Sequence, residues 1–128
     1  MFTFDQIMQA HAHVKSGADF PAYINAIQKL GVESYETYVH DGHANYNGQG
    51  QTLTGQAKYT TLAIAEHSDG DSFVTYLKAH QQGKSDYPTF CKQAALTGIE
   101  KWVVNTNKRT CAYFDKQGNE ILLENIPE

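Results

Sequence analysis

Long apolar runs are missing from this chain of 128 residues. None approaches the roughly 20 residues that a helix needs to cross a bilayer. Met1-Phe2-Thr3-Phe4-Asp5 lacks the basic and apolar regions of a signal peptide. The expectation is a cytoplasmic protein with no membrane partner. A basic block is also missing: the ten Lys and Arg are scattered and the net charge is −4. A phosphate-backbone binder would show such a block, so nucleic acid is not an expected partner. Cysteine is scarce. Cys91 and Cys111 are too few for a secreted disulfide framework, and no Cys-x-x-Cys pair points to zinc or redox chemistry. Both are expected as reduced thiols buried as small hydrophobes.

Several catalytic and cofactor motifs are absent as well. Gly83-Lys84-Ser85 resembles the end of a phosphate-binding loop, but Lys78 stands where that motif needs glycine and the segment follows a helix. Gly48-Gln49-Gly50 opens no helix, which excludes a dinucleotide fingerprint. There is no Gly-x-Ser-x-Gly. No cofactor is expected.

What is there suits a packed core: 41% hydrophobic, 12% aromatic and 19% charged residues, in a length typical of one domain, here residues 1–128. Thr3 and Gln6 make a capping box ahead of Phe4, Ile7, Met8, His11 and Val14 at helical spacing, with Gly17 as the stop. Asp19 and Pro21 open a second helix with Phe20, Tyr23, Ile24, Ile27 and Leu30 on one face and Gly31 at its exit. Val32 to Val39 reads as a strand, and Asp41-Gly42 as a type I′ turn into a second strand over 44–47. The glycines of 48–58 read as a loop, followed by a strand over 60–65. A third helix starts near Ser68, Asp69 and Asp71 and ends at Gly83; a fourth starts at Asp86-Tyr87-Pro88 and runs to Gly98. A strand over 99–105 and a hairpin of 110–114 with 120–124 complete the chain. The fold class is α+β, four helices on an antiparallel β-sheet.

A shift of 67 positions aligns the halves without a gap, matching His13 with His80, Asp19 with Asp86, Pro21 with Pro88, Gly31 with Gly98 and Glu33 with Glu100. One reading is an internal repeat, roughly 4–66 and 71–124, of two αα-β units. The other is that capping Asp, first-turn Pro and exit Gly are generic helix punctuation.

Four segments carry a resemblance: Val14-Lys15-Ser16-Gly17-Ala18-Asp19-Phe20-Pro21; Tyr35-Glu36-Thr37-Tyr38-Val39 with Asp41-Gly42-His43; His80 through Cys91; and Gly98-Ile99-Glu100-Lys101-Trp102-Val103-Val104. On these the chain resembles the YbcV-like family of small bacterial and prophage-associated proteins, a domain of unknown function sometimes labelled phage envelope protein. The resemblance implies no catalytic residue, cofactor or substrate, and the envelope label conflicts with the missing membrane segment.

The hairpin His40-Asp41-Gly42-His43 holds the most informative spacing, because a two-residue turn places His40 opposite His43. Strand alternation then puts Glu36, Tyr38, His40, His43, Asn45 and Asn47 on one face, and Tyr35, Thr37, Val39, Ala44 and Tyr46 on the core face. The first set holds two imidazoles, a carboxylate and a phenol, groups that bind metals or move protons near neutral pH. It also fits a plain solvated sheet face. With only two histidines brought together, no metal site is expected. His80 is expected as a hydrogen-bonded core residue, Cys91 as a packing residue, and Trp102 in the core. The leading function is a non-enzymatic binding or protein-interaction module for a protein or small molecule, with a homodimer as the candidate assembly. The alternative is a small-molecule enzyme using His40 or His43 as general acid or base on the polar face.

Overall fold

A computed structural model describes residues 1–15 and 17–127; Ser16, within the first resemblance segment, and Glu128 lie outside the described residues. Among the described residues, helix α1 (Phe4–His11) begins where Thr3 Oγ1 accepts the Gln6 N–H and the Thr3 N–H donates to Gln6 Oε1, the expected capping box. Helix α2 (Phe20–Leu30) carries Pro21 in its first turn and ends at Gly31, whose φ of +108° relieves the last carbonyls. Asp69 caps α3 (Gly70–Gln81) by accepting the Ser72 N–H, and Asp86 caps α4 (Tyr87–Leu96) by accepting the Thr89 N–H at 2.8 Å.

Asp19 departs from its expected role. It has helical backbone angles, makes no side-chain cap bond to α2, and accepts the Lys15 N–H instead, as part of a short 3₁₀ turn over Gly17–Asp19 that leads into the helix. The first helix is also shorter than its apolar spacing implies, since α1 stops at His11 and leaves Val14 outside it.

Six strands, β1 (Ser34–Tyr38), β2 (Ala44–Gly48), β3 (Gln51–Thr54), β4 (Ile99–Asn105), β5 (Thr110–Asp115) and β6 (Glu120–Asn125), form one antiparallel sheet in the order β3-β2-β1-β4-β5-β6. The α+β class therefore stands. Strand β3 lies inside the stretch expected to be a loop, and 60–65 forms no strand. The glycines are there for a different reason. Gln49 and Gly50, both at positive φ, make the tight turn from β2 to β3 that a type I′ hairpin requires. Gly48 has no Cβ because the Gly31 carbonyl fills that space.

The core lies between the helices and one sheet face. Ile7, Ile24, Ile27, Phe73 and Phe90 from the helices meet Tyr35, Tyr46, Trp102, Val104, Cys111 and Tyr113 from the strands. Facing side chains alternate with residues of intermediate or full exposure along β1, β2 and β5, and no outward-facing residue of the six strands is buried.

The two halves meet at the β1·β4 pair, where Glu36 lies opposite Val103, the residue 67 positions later. The backbone details correspond at that spacing. The Val39 N–H donates to the Glu100 carbonyl, and the Thr106 N–H to the Glu33 carbonyl. Gly42 and Arg109 both end four-residue loops at positive φ, as Gly31 and Gly98 both end helices.

Two expectations follow for stability. Asp86→Ala should lower the urea midpoint through loss of the α4 cap. Hydrogen bonds from Thr89 hold the Asp86 carboxyl below its ordinary range. Its contribution is therefore full above about pH 3.9 and is lost as pH falls through the depressed native value. Asp86→Asn keeps a capping oxygen without the charge, so its stability should fall less steeply between about pH 4 and pH 2 than that of the parent. Trp102, 9% exposed, should emit at short wavelength when native and shift red on unfolding.

Candidate functional site

The β1–β2 hairpin closes through a longer loop than Asp41-Gly42 alone would make. Thr37 pairs with Ala44, the Tyr38 N–H donates to the His43 carbonyl at 2.9 Å, and the Gly42 N–H donates back to Tyr38. The loop is therefore Val39–Gly42, and Tyr38, not His40, stands opposite His43. Only Gly42 of the central pair has positive φ, so no type I′ turn forms there. Val39, the first loop residue, is fully buried, and its N–H continues the pairing with β4 through the Glu100 carbonyl. The register is displaced by two residues. Because the pleat has a period of two, every side chain keeps its expected face.

The segment after β3 holds this loop in place. The Lys58 N–H donates to the Asp41 carbonyl at 2.8 Å, the Leu62 N–H to the His40 carbonyl at 2.6 Å, and the Tyr59 hydroxyl to the Val39 carbonyl at 2.5 Å. The Tyr59 ring lies against Gly42, leaving no room for a Cβ.

Asp41 joins the two histidines. Its Oδ1 accepts the His43 backbone N–H at 3.0 Å and lies 2.5 Å from His43 Nδ1, while Oδ2 lies 3.4 Å from His40 Nε2. Burial alone would raise the Asp41 carboxyl; hydrogen bonds from the His43 backbone and ring, together with the charges of His40 and His43, outweigh it and hold the group below its ordinary range. The two imidazoles make an edge-on contact with centroids 5.4 Å apart. Tyr38 stacks on His43 at 4.7 Å and 7°, which limits the rotation of that ring. The side chains of His40, Asp41 and His43 are 40%, 19% and 21% exposed, so the cluster is supported from beneath and reachable from solvent.

The row continues across the sheet. Lys101 Nζ sits 5.7 Å from the Tyr38 ring and 5.8 Å from the Phe114 ring, and 3.7 Å from Glu36 Oε2. Asn45, opposite Glu36, has a covered Oδ1 with no partner among the described residues.

The expected face of Glu36, Tyr38, His40, His43 and Asn45 is thus brought to one side of the sheet. Three of its neighbours were not foreseen. Asp41 reads as a turn residue, and only its flanking histidines hint at more. Lys101 and Phe114 reach the row from the other half of the chain through the β1·β4 and β4·β5 pairs, and no local signal reveals that. His80 stacks on Phe90 at 4.6 Å and contacts the Ser85 carbonyl through Nδ1, hydrogen-bonded as expected but half-buried at the edge of the core. His13, its partner in the repeat alignment, is exposed instead. Cys91 and Cys111 are free and buried. Burial raises Cys91 despite hydrogen bonds from Tyr59 and Tyr87, and pushes Cys111 up to about 12, so neither is a thiolate nucleophile at neutral pH.

Fold and site together define a class: an α+β protein whose antiparallel sheet keeps one face uncovered and bears a His-Asp-His hairpin on it. Within that class, the chain belongs to the DUF1398 family of proteins of unknown function, which matches residues 8–125. A comparison with curated proteins gives no match.

The site separates from the core by mutation. Replacing both His40 and His43 by glutamine should leave the protein folded, at a cost of no more than about 1 kcal/mol for the lost hydrogen bond. Gly42→Ala should cost more, about 1–2 kcal/mol, from the left-handed backbone alone, with the Tyr59 clash added. Denaturant titration of the two variants checks the ordering.

Proposed function

We propose that the protein is a non-enzymatic binding module whose uncovered sheet face pairs with a second copy of the chain. The observation that carries this is the make-up of that face. Val103, Ala112, Phe114 and Leu123 line its β4–β6 half, with Leu123 exposed, and Glu36 and Lys101 stand side by side near the centre. A patch holding an acid next to a base is self-complementary: a copy turned about a twofold axis offers each its opposite. Six strands about 4.8 Å apart and five residues long give roughly 500 Å² per copy. A pair then buries about 1,000 Å², the lower bound for a specific interface, so the dimer is weak and reversible.

The corresponding backbone details of the two halves also support reading the chain as duplicated units, roughly 4–66 and 71–124. Only the first half then carries the histidine hairpin; the equivalent loop positions in the second are Asn107, Lys108, Arg109 and Thr110. The YbcV-like resemblance brings no activity to this reading.

One observation favours the acid–base enzyme: the Asp41 contact that orients the His43 ring. A small substrate needs a recess, however. Two surface grooves of about 300 and 320 Å³ lie between α1 and α2, lined by residues such as Gln6, Ala10, His13 and Ala26 and by neither site histidine.

Sedimentation equilibrium checks the proposal. The parent should show a monomer–dimer equilibrium, and Leu123→Glu should shift it to monomer while its thermal midpoint stays close to that of the parent. A parent that remains monomeric up to about 1 mM, the range of a 4 kcal/mol association, overturns the reading.

A further inference from the structure

We propose that His40, Asp41 and His43 form a binding site for a divalent transition-metal ion of the zinc class. The three residues each offer a ligand atom, and these atoms lie within 4.8 Å of one another. The donor set is two imidazole nitrogens and one carboxylate oxygen, which suits zinc, cobalt or nickel; calcium and magnesium prefer oxygen alone. Three protein ligands leave a fourth position open on the solvent side.

One of the spacings already fits a tetrahedral ion, and another needs a small shift. Ligands held about 2.1 Å from a tetrahedral ion stand roughly 3.4 Å apart. His40 Nε2 and Asp41 Oδ2 are already at 3.4 Å. His43 Nδ1 and Asp41 Oδ1, at 2.5 Å, are at hydrogen-bond distance. Metal entry separates them by about 1 Å, and a neutral His43 gives up its Nδ1 proton to solvent and takes one up at Nε2, so that Nδ1 offers its lone pair.

The surroundings pre-order the ligands as a metal site needs. The carbonyls of Val39, His40 and Asp41 each accept a hydrogen bond from the segment around Tyr59, so the loop does not have to organise on binding. Tyr38 stacked on His43 restricts one imidazole, and the His43 N–H to Asp41 bond fixes the carboxylate. The equivalent loop of the second half has Asn107 and Thr110 in place of the histidines and so lacks the imidazole donors.

All three ligands come from one chain. Zinc binding therefore stands or falls apart from the self-association proposed above, and a monomeric protein should still bind it.

Calorimetric titration of tag-free protein with zinc chloride tests the site. One ion per chain is expected, with an affinity in the micromolar range or tighter and a thermal midpoint raised by zinc. His40→Gln should weaken binding by at least about tenfold, because loss of even an outer-shell partner costs that much, and should abolish the thermal shift. His13→Gln should behave as the parent. Bound Co²⁺ should show the visible absorption of a tetrahedral nitrogen–oxygen site in the parent and lose it in the His40→Gln, His43→Gln double variant. The proposal is overturned if zinc does not bind in the micromolar range, or if the double variant, shown to be folded, binds zinc as tightly as the parent.

Discussion

The β1·β4 pair holds the sheet together, since it is the one ladder that joins the strands of the first half to those of the second. It buries Tyr35 beside Val104 and Thr37 beside Trp102 on the core face, and brings Glu36 and Tyr38 beside Val103 and Lys101 on the outward face. The same ladder continues past the end of β1 to Val39, the first residue of the hairpin loop that carries the histidines. One ladder thus runs beneath both the core face and the polar cluster on the other side of the sheet.

Most helices were legible because their signals are local. The Thr3–Gln6 capping box, the Asp86 cap, the first-turn prolines and the exit glycines act within a turn of the residues they punctuate. Asp19 misled because the same residue type that caps a helix can serve an earlier turn. Strand β3 was obscured by glycines that read as loop residues but provide the positive φ and the close approach of a tight hairpin. The Asp41-Gly42 turn was misjudged because the loop is held by non-local hydrogen bonds from Lys58, Tyr59 and Leu62 that local turn preference does not register. The face assignment survived only because the displacement was an even number of residues. Asp41, Lys101 and Phe114 could not be placed on the site from spacing, since one depends on loop conformation and the other two on pairing across the chain.

The outward face is uneven in a way that follows from the two halves. Positions that correspond across the β1·β4 pair carry different chemistry: Glu36 against Val103, Asn45 against Ala112, and Ser34 against Lys101. The face thus has a polar half with the His-Asp-His loop and an apolar half with Phe114 and Leu123, joined where Lys101 lies between Tyr38 and Phe114.

The strand order also has a consequence for how the chain reaches this structure. Apart from the β1·β4 pair, each strand pairs only with its sequence neighbours, while β1 and β4 are separated by β2, β3 and both later helices. Hairpins close over short loops at small entropic cost; the long closure costs more and is repaid only when both edges are already formed. The slow step of folding therefore falls on docking the two hairpin units, and substitutions at the central ladder should act on the rate of that step more than substitutions in either outer strand.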